Sequence, residues 1–363
     1  CLTSVLSWLS ARYTLVFITS IAPDFPLLGL GAAAGAETVL GPECMSLAMF
    51  YMCCAYAVNA LSPKLAGKLQ VSTTIIKLIP LFLMAIVGIV VGIANGTLAN
   101  NFNTLADVGT TSTSPLFASV CATAFAYEGW IIATSINAEL KDAKKNLPRA
   151  LVIGAIIIIA TYIFYYVGVA GGATNQELID SGATVAFINV FGNVLGNILN
   201  LFIAISCIGT MNGLMLGCVR GLYSIAVRGR GPAPHVFSQI DKETNMPHNS
   251  AIVGLLLCGF WGLYFFLANL AGTWSGPFVF DSSELPIITI YMLYLPIFVM
   301  WIKKATDETA MRRYVLPLLA ICGSLFMIYA SIMGHGIACF WYLIVFAAVM
   351  AVGFAFSKEK PIN

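Results

Sequence analysis

Charged residues are scarce in this chain of 363 residues: Lys, Arg, Asp and Glu together make up 9%, whereas hydrophobic residues make up 59%. Soluble domains carry about 25% charged residues. With a mean hydropathy of +0.90, the sequence excludes a soluble fold and indicates a multi-pass membrane protein whose main partner is the lipid bilayer. The formal net charge is only +2, and the basic residues fall in short segments between apolar runs. We therefore expect no nucleic-acid partner.

Clusters of metal-ligating or catalytic side chains are also missing from the sequence. The three histidines, His235, His248 and His335, are far apart, and the acidic residues form no cluster. The ten cysteines are scattered singly, apart from Cys53-Cys54, as small buried hydrophobic residues are. We predict no metal and no cofactor, and we disfavour a membrane enzyme, which needs His, Asp or Ser at catalytic spacing.

Apolar runs long enough to cross a bilayer dominate what is present, since a core of ~30 Å needs about 20 helical residues. Arg12 interrupts the first run, and residues 27–35 can continue it after a kink at Asp24-Phe25-Pro26. Residues 185–196 are predicted to be an amphipathic lead-in on the extracellular side. We predict an all-α integral membrane protein with about ten spans, near residues 3–22, 44–61, 71–94, 115–138, 150–171, 197–222, 249–269, 285–302, 314–333 and 337–356.

Lys and Arg are distributed unevenly between the loops. Positive residues mark cytoplasmic loops in membrane proteins, so the distribution predicts that both ends of the chain are cytoplasmic, in a cell membrane. Most of the eighteen basic residues fall in 62–70, 139–149, 223–248, 303–313 and 357–363, whereas 23–43, 95–114, 172–196, 270–284 and 334–336 hold none.

The fourth span, 115–138, contains an acid and a glycine at membrane depth. A carboxylate there is costly unless it faces protein or water, and interrupted spans are where transporters bind substrates. Backbone groups without partners persist at this depth only where they line a cavity. One interpretation is an aromatic-rich kink with Glu128 facing interior water. The other is an unwound hinge that accepts hydrogen bonds from a substrate ammonium, formed by Phe125, Ala126, Tyr127, Glu128, Gly129 and Trp130.

Three basic residues lie within predicted spans: Arg12, Lys77 and Arg220. Arg220 is near a cytoplasmic helix end, where its head group reaches water, and Arg12 either does the same or pairs with a helix outside this sequence. Lys77 follows Lys68 by nine residues, so at 1.5 Å per residue it lies ~13 Å into the membrane. Its ammonium needs a partner, a bound water or deprotonation. One interpretation is that Lys77 forms a structural pair within the helix bundle. The other is that it provides a fixed or protonatable cation at the position where an ion-coupled carrier would bind sodium.

Small and hydroxylated residues fill the sixth span from 205 to 214. Such residues let helices approach closely in membranes, so one interpretation of this stretch is helix packing. The other interpretation is that Ser206 forms a contact with Lys77. Glu284, at the start of the eighth span, is predicted to be a solvated carboxylate at a helix end rather than a gate.

Three segments together resemble the L-type amino acid transporter family of the amino acid–polyamine–organocation superfamily, in particular its bacterial-type permeases. Residues 125–130 with 146–150 resemble the family's sixth helix and following loop, 73–78 its fifth helix, and 206–213 its eighth. The resemblance implies helices three to twelve of a twelve-helix protein, so we expect a piece that lacks the first two helices. In the implied fold of two inverted five-helix repeats, 1–94 is the remainder of the first, 115–302 the second, and 314–356 two C-terminal helices.

Two positions depart from the family pattern. The family's Glu-Glu pair after the sixth helix is Ala138-Glu139 here, and its Arg-Glu-Gly after the eighth helix is replaced by residues 228–231, Arg-Gly-Arg-Gly. Both positions concern cytoplasmic gating rather than the substrate pocket.

The resemblance implies a transporter that moves α-amino acids by alternating access. The carbonyls around Phe125–Tyr127 would bind the substrate ammonium, and Glu128, Gly129 and Trp130 would form the hinge and pocket wall. Lys77, bridging to Ser206, would take the place of sodium, so we expect sodium-independent exchange of neutral amino acids. The alternative is a proton-coupled amino acid or polyamine symporter. No extracellular cysteine is well placed for a covalent partner, so we expect no obligate partner protein.

Overall fold

The computed structural model describes residues 1–22, 42–104, 114–135, 140–271 and 274–358, and these contain helices and no strands. The continuation of the first span over 27–35 lies outside the described residues. In chain order the helices are α1 (Leu2–Ile21), α2 (Pro42–Leu61), α3 (Pro63–Ala94), α4 (Thr97–Asn103), α5 (Pro115–Tyr127), α6 (Ile132–Ser135), α7 (Ala143–Gly172), α8 (Asn175–Ser181), α9 (Ala183–Ala226), α10 (Pro234–Phe237), α11 (His248–Phe265, extended by a π-helical turn Phe266–Leu270), α12 (Pro286–Lys304), α13 (Leu316–His335, preceded by a π-helical turn Met311–Val315) and α14 (Ile337–Ala355).

Nine helices in the described part of the chain are long and apolar enough to span a membrane. The tenth predicted span is represented by the shorter apolar helix α5, because the chain leaves the helix at Tyr127. The all-α membrane fold with about ten spans is therefore confirmed. The division into repeats at 1–94, 115–302 and 314–356 stays a prediction.

Two helices begin several residues before the apolar run from which each was predicted. α3 begins at Pro63 rather than at 71, and α7 begins at Ala143 rather than at 150. Proline fits the first turn of a helix because its missing N–H has no helical partner there. Lys144, Lys145 and Arg149 consequently lie in the first turns of α7 rather than in a loop. Hydropathy marks the membrane-embedded part of a helix, not its aqueous ends.

The segment preceding the sixth span folds back on the span itself. Helix α9 is broken at Gly192, whose backbone has φ +82° and ψ 168°. A Cβ atom placed on Gly196 would lie 2.6 Å from the Cα of Ile188, so the two arms are in backbone contact. Ala186 and Phe187 of the first arm are buried. The arm is thus a packed amphipathic helix separate from the span, and its location on the extracellular side stays a prediction.

Helices α1, α2, α9 and α11 share one buried core, built largely of methionine and small residues. Its contacts include Leu6 of α1, Met52 of α2, Met211 of α9 and Ala251 of α11. The amide of Asn59 on α2 donates to the side-chain oxygen of Asn212 on α9 at 2.8 Å. A buried hydrogen bond between two amides of distant segments fixes how these helices are aligned.

Helices α3 and α7 approach each other through glycines. A Cβ atom on Gly88 would lie 2.8 Å from the carbonyl carbon of Gly168, and one on Gly171 would lie 3.1 Å from the carbonyl carbon of Gly88. Small residues at such crossings allow backbones to touch, which is the main source of helix association in lipid. This contact fixes α3, and therefore Lys77, against α7.

We expect mild oxidation to join Cys218 of α9 to Cys258 of α11. Their Sγ atoms are 3.6 Å apart. A Cβ atom on Gly254, one turn before Cys258, would lie 2.6 Å from the Cys218 carbonyl oxygen, so the backbones are also close. A small rotation of each thiol then reaches disulfide distance. Copper phenanthroline treatment of the purified protein, followed by peptide mass spectrometry, measures the cross-link. The exposed Cys322 is the control, and alkylation of Cys218 and Cys258 to the same extent as Cys322 after oxidation would contradict the packing.

Candidate functional site

The interruption predicted in the fourth span is an extended turn between α5 and α6. Glu128 leaves the helix with φ −69° and ψ 158°, and Gly129 has φ +112°. The backbone at Gly129 is the reason for a glycine there, because that φ strains any residue with a side chain. Space is not the reason, since a Cβ atom on Gly129 would meet nothing within 4 Å.

The polar groups of this turn hold long hydrogen bonds. The Glu128 N–H donates to the Phe125 carbonyl and the Tyr162 hydroxyl donates to the Ala126 carbonyl, each at 3.3 Å. The Gly129 N–H donates to the Glu128 carboxylate at 3.4 Å. Bonds of this length are weak, so these acceptors keep capacity for a better donor. Their role in binding a substrate stays a prediction.

Aromatic side chains connect the turn to two different helices. The Tyr127 ring lies edge-on to Tyr162 of α7, with centroids 5.1 Å apart. The Trp130 ring packs against Tyr294 of α12 at 5.7 Å. The carboxylate of Glu128 interacts electrostatically with Tyr294 as well. The turn is therefore held between α7 and α12 by ring contacts more than by hydrogen bonds.

Lys77 is half-buried near the middle of the 32-residue helix α3. Its ammonium interacts electrostatically with the thiol of Cys207 on α9, the residue after Ser206. No acidic side chain in the described part of the chain pairs with Lys77, and no hydrogen bond joins it to Ser206 there. One turn earlier, Thr73 packs directly on Gly209, which brings α3 close to α9 at this level. The bridge from Lys77 to Ser206 stays a prediction.

Two tyrosines that the sequence did not single out are electrostatic neighbours of this region. Tyr13 of α1 interacts electrostatically with Cys207, and Tyr165 of α7 interacts with Tyr13. Tyr165 follows Tyr162 by three residues, so both rings lie on one face of α7. Of these rings, Tyr162 contacts the interrupted helix directly, through the Ala126 carbonyl and the ring of Tyr127. The spacing of Tyr162 and Tyr165 in an apolar helix is a signal in the sequence, because buried tyrosine hydroxyls need polar neighbours.

Two other charged residues have partners that the sequence did not predict. The Arg12 guanidinium lies over the rings of Trp8 and Tyr13, at 5.6 and 5.5 Å from their centroids. The Glu284 carboxylate lies 3.4 Å from the His335 ring, and their side chains are 25% and 15% exposed. Glu284 is therefore a paired carboxylate and not the solvated one expected.

A bundle of spanning helices, one of them interrupted within its apolar run and another with a half-buried lysine near its middle, is the architecture of secondary transporters with discontinuous helices. The family of this transporter follows from comparison with known proteins. The chain belongs to the amino acid permease family: the family model described as "Amino acid permease" matches residues 2–356.

Curated relatives agree with this assignment. The chain is 26% identical over 341 residues to the serine/threonine exchanger SteT of Bacillus subtilis, an alignment that covers 91% of the chain and 72% of that protein. It is 26% identical over 294 residues to the b(0,+)-type amino acid transporter 1 of Rattus norvegicus, covering 80% of the chain and 57% of the relative. It is 29% identical over 228 residues to the Asc-type amino acid transporter 1 of Mus musculus, covering 62% of the chain and 40% of the relative.

The resemblance to the amino acid–polyamine–organocation superfamily is therefore confirmed, and with it a multi-pass membrane protein of the amino acid transporter class. The relatives are transporters and not enzymes, in agreement with the expectation from the scattered histidines. The chain spans a little over half of the b(0,+)-type relative and less than half of the Asc-type one.

Proposed function

We propose that this protein exchanges neutral α-amino acids across the membrane without sodium, by alternating access. The observation that carries the proposal is the ammonium of Lys77, which lies in the middle of a spanning helix with no acidic partner among the described residues. A fixed positive charge beside α9 supplies locally what a bound coupling cation supplies in an ion-driven carrier. In a carrier whose lysine takes the place of the sodium ion, no sodium ion binds, so a sodium gradient does not drive transport.

The interrupted helix is the proposed binding site for the substrate. Carbonyls of Phe125, Ala126 and Tyr127 accept the substrate ammonium, because a charged donor forms shorter and stronger bonds than the 3.3 Å bonds now made by two of them. Glu128, Gly129 and Trp130 form the hinge and one wall of the pocket, and Ser206 receives Lys77 in a further state of the cycle.

A small neutral substrate is supported by two observations. The stretch of α9 beside Lys77 consists of small residues, with Ser206, Cys207 and Gly209, so this wall carries no charge that a substrate side chain could pair with. One relative, SteT, is named as a serine/threonine exchanger, and its alignment covers 91% of the chain. We therefore choose serine as the first substrate to measure.

Exchange is tested with the purified full-length protein in liposomes preloaded with radiolabelled serine, in sodium-free buffer. We expect efflux only when external serine is present, because an obligate exchanger returns across the membrane only when loaded. Liposomes without protein are the control. Efflux that requires sodium would contradict the role given to Lys77, and no efflux under any condition would contradict the substrate class.

The alternative is a proton-coupled symporter in which Lys77 gains and loses a proton. The same ammonium without an acidic partner favours it, since a lysine within a span needs a partner, a bound water or deprotonation. Uptake into empty liposomes driven by an inward pH gradient, without internal amino acid, would support the symporter and reject exchange.

The absence of an obligate partner protein and the cytoplasmic location of both chain ends are further proposals.

A further inference from the structure

The hydroxyl group of Tyr294, on α12, is buried without a hydrogen-bond partner among the described residues. The side chain is 7% exposed. A buried hydroxyl without a partner destabilises a folded protein, and each such group calls for an explanation. Other tyrosines buried to a similar degree do have partners: the Tyr264 hydroxyl donates to the Phe278 carbonyl at 3.0 Å, and the Tyr342 hydroxyl lies 3.4 Å from the Thr289 hydroxyl. The hydroxyl of Tyr294 is therefore an exception.

The ring of Tyr294, unlike its hydroxyl, has packing partners on several sides. It packs against Trp130 of the interrupted helix at 5.7 Å between centroids, against Tyr291 at 5.6 Å and against Phe298 at 6.2 Å. These contacts would be made equally well by phenylalanine. Packing therefore explains an aromatic ring at this position and does not explain the oxygen atom.

An acceptor with unused capacity belongs to the same turn as Trp130, whose ring packs on Tyr294 at 5.7 Å between centroids. The Glu128 carboxylate is an electrostatic neighbour of Tyr294, and its one hydrogen bond among the described residues is the 3.4 Å bond from the Gly129 N–H. Glu128 also lies in the extended turn, where the positive φ of Gly129 leaves the chain outside any regular helix. A turn of this kind changes conformation more easily than a helix, because few hydrogen bonds must break.

We propose that Tyr294 is a positioning residue of the transport cycle: its hydroxyl donates to Glu128 in a conformation of the turn other than the present one, and so holds the hinge closed. The proposal rests on the proposed function, because it takes the interrupted helix as the moving element of the substrate site. In the present conformation the bond is open, which leaves the hydroxyl unsatisfied and the carboxylate weakly bonded.

Helix α12, which carries Tyr294, contains a position at which the helix can bend. Pro296 lies within α12, and a proline lacks the N–H that would satisfy the carbonyl four residues earlier, which is that of Met292. Helices bend at such positions. A small bend near Pro296 would therefore change the position of Tyr294 relative to the turn that contains Glu128.

The test compares three variants with the wild-type protein in the liposome exchange assay: Tyr294→Phe, Glu128→Gln and the double variant. We expect Tyr294→Phe to lower the maximal exchange rate about tenfold, with little change in the half-saturating serine concentration. Its melting temperature should equal or exceed that of the wild type, because the substitution removes an unsatisfied buried group. The double variant should be no slower than the slower single variant, since Tyr294→Phe removes the donor of the bond that Glu128→Gln only weakens.

The matched control is Tyr329→Phe, which removes a hydroxyl from an exposed tyrosine of α13 and should change neither rate nor melting temperature. A wild-type maximal rate in Tyr294→Phe overturns this inference alone, provided that the wild-type protein exchanges serine. A lower melting temperature, or additive losses in the double variant, also overturns it. If the wild-type protein exchanges no amino acid, the proposed function fails, and this inference fails with it.

Discussion

Lys77→Met is expected to lower the rate of amino acid exchange about 100-fold or more, which corresponds to about 2.7 kcal/mol of activation free energy. The reason is that the ammonium is the only charge placed beside Ser206 and Cys207 in the described part of the chain. Methionine matches the length of the apolar stem and removes the charge alone. The rate is measured as serine-dependent serine efflux from liposomes.

The stability of Lys77→Met separates loss of function from loss of fold. Removing a buried ammonium that has no acidic partner should leave the melting temperature unchanged or raise it, because the desolvation cost of the charge disappears. Lys68→Met is the matched control: Lys68 lies on the same helix but is exposed, so its loss should not slow exchange. Exchange at the wild-type rate in Lys77→Met would remove the basis of the sodium-independent mechanism.

Gly168→Leu is expected to prevent tight packing of α7 on α3. A Cβ atom at Gly168 would lie 2.8 Å from the carbonyl carbon of Met84 and 3.0 Å from the Cα of Ala85. These are backbone atoms of a helix and cannot move aside as a flexible side chain would. Overpacking of this kind costs about 3 kcal/mol, which corresponds to a drop of about 4 °C in melting temperature for a chain of this length.

The melting temperature of the purified protein in detergent, with its monodispersity in gel filtration, measures this effect. Gly154→Leu is the matched control on the same helix, because a Cβ atom at Gly154 would meet nothing within 4 Å. It adds the same side chain to α7 and should leave the melting temperature within error of the wild type. Equal melting temperatures for the two variants would contradict the close approach of α3 and α7.

These predictions are connected by the position of α3. Its glycine face is fixed to α7, and its opposite end packs on α9 through Thr73 and Gly209. Lys77 therefore lies between two helices that bear the tyrosines and the small residues of the proposed site. A displacement of α3 caused by Gly168→Leu should slow exchange even in molecules that remain folded, although Gly168 touches no substrate.

The sequence by itself determined the membrane class, the number of spans and the location of the interrupted helix. These properties are local: 20 apolar residues specify a span whatever lies beside it, and an acid followed by glycine in an apolar run specifies a break. The depth of Lys77 followed from counting residues along one helix. Even the early starts of α3 and α7 are local, because Pro63 marks the first turn of one of them.

Only the tertiary structure decided which faces meet. Apolar side chains surround most of each helix because lipid is as apolar as the protein core, so no hydrophobic period distinguishes a lipid-facing side from a buried one. The contacts of Trp130 with Tyr294, of Thr73 with Gly209, and of α3 with α7 are therefore not encoded in any one segment. They depend on where small residues of two distant segments allow backbones to touch, and this complementarity exists only once the helices are packed together.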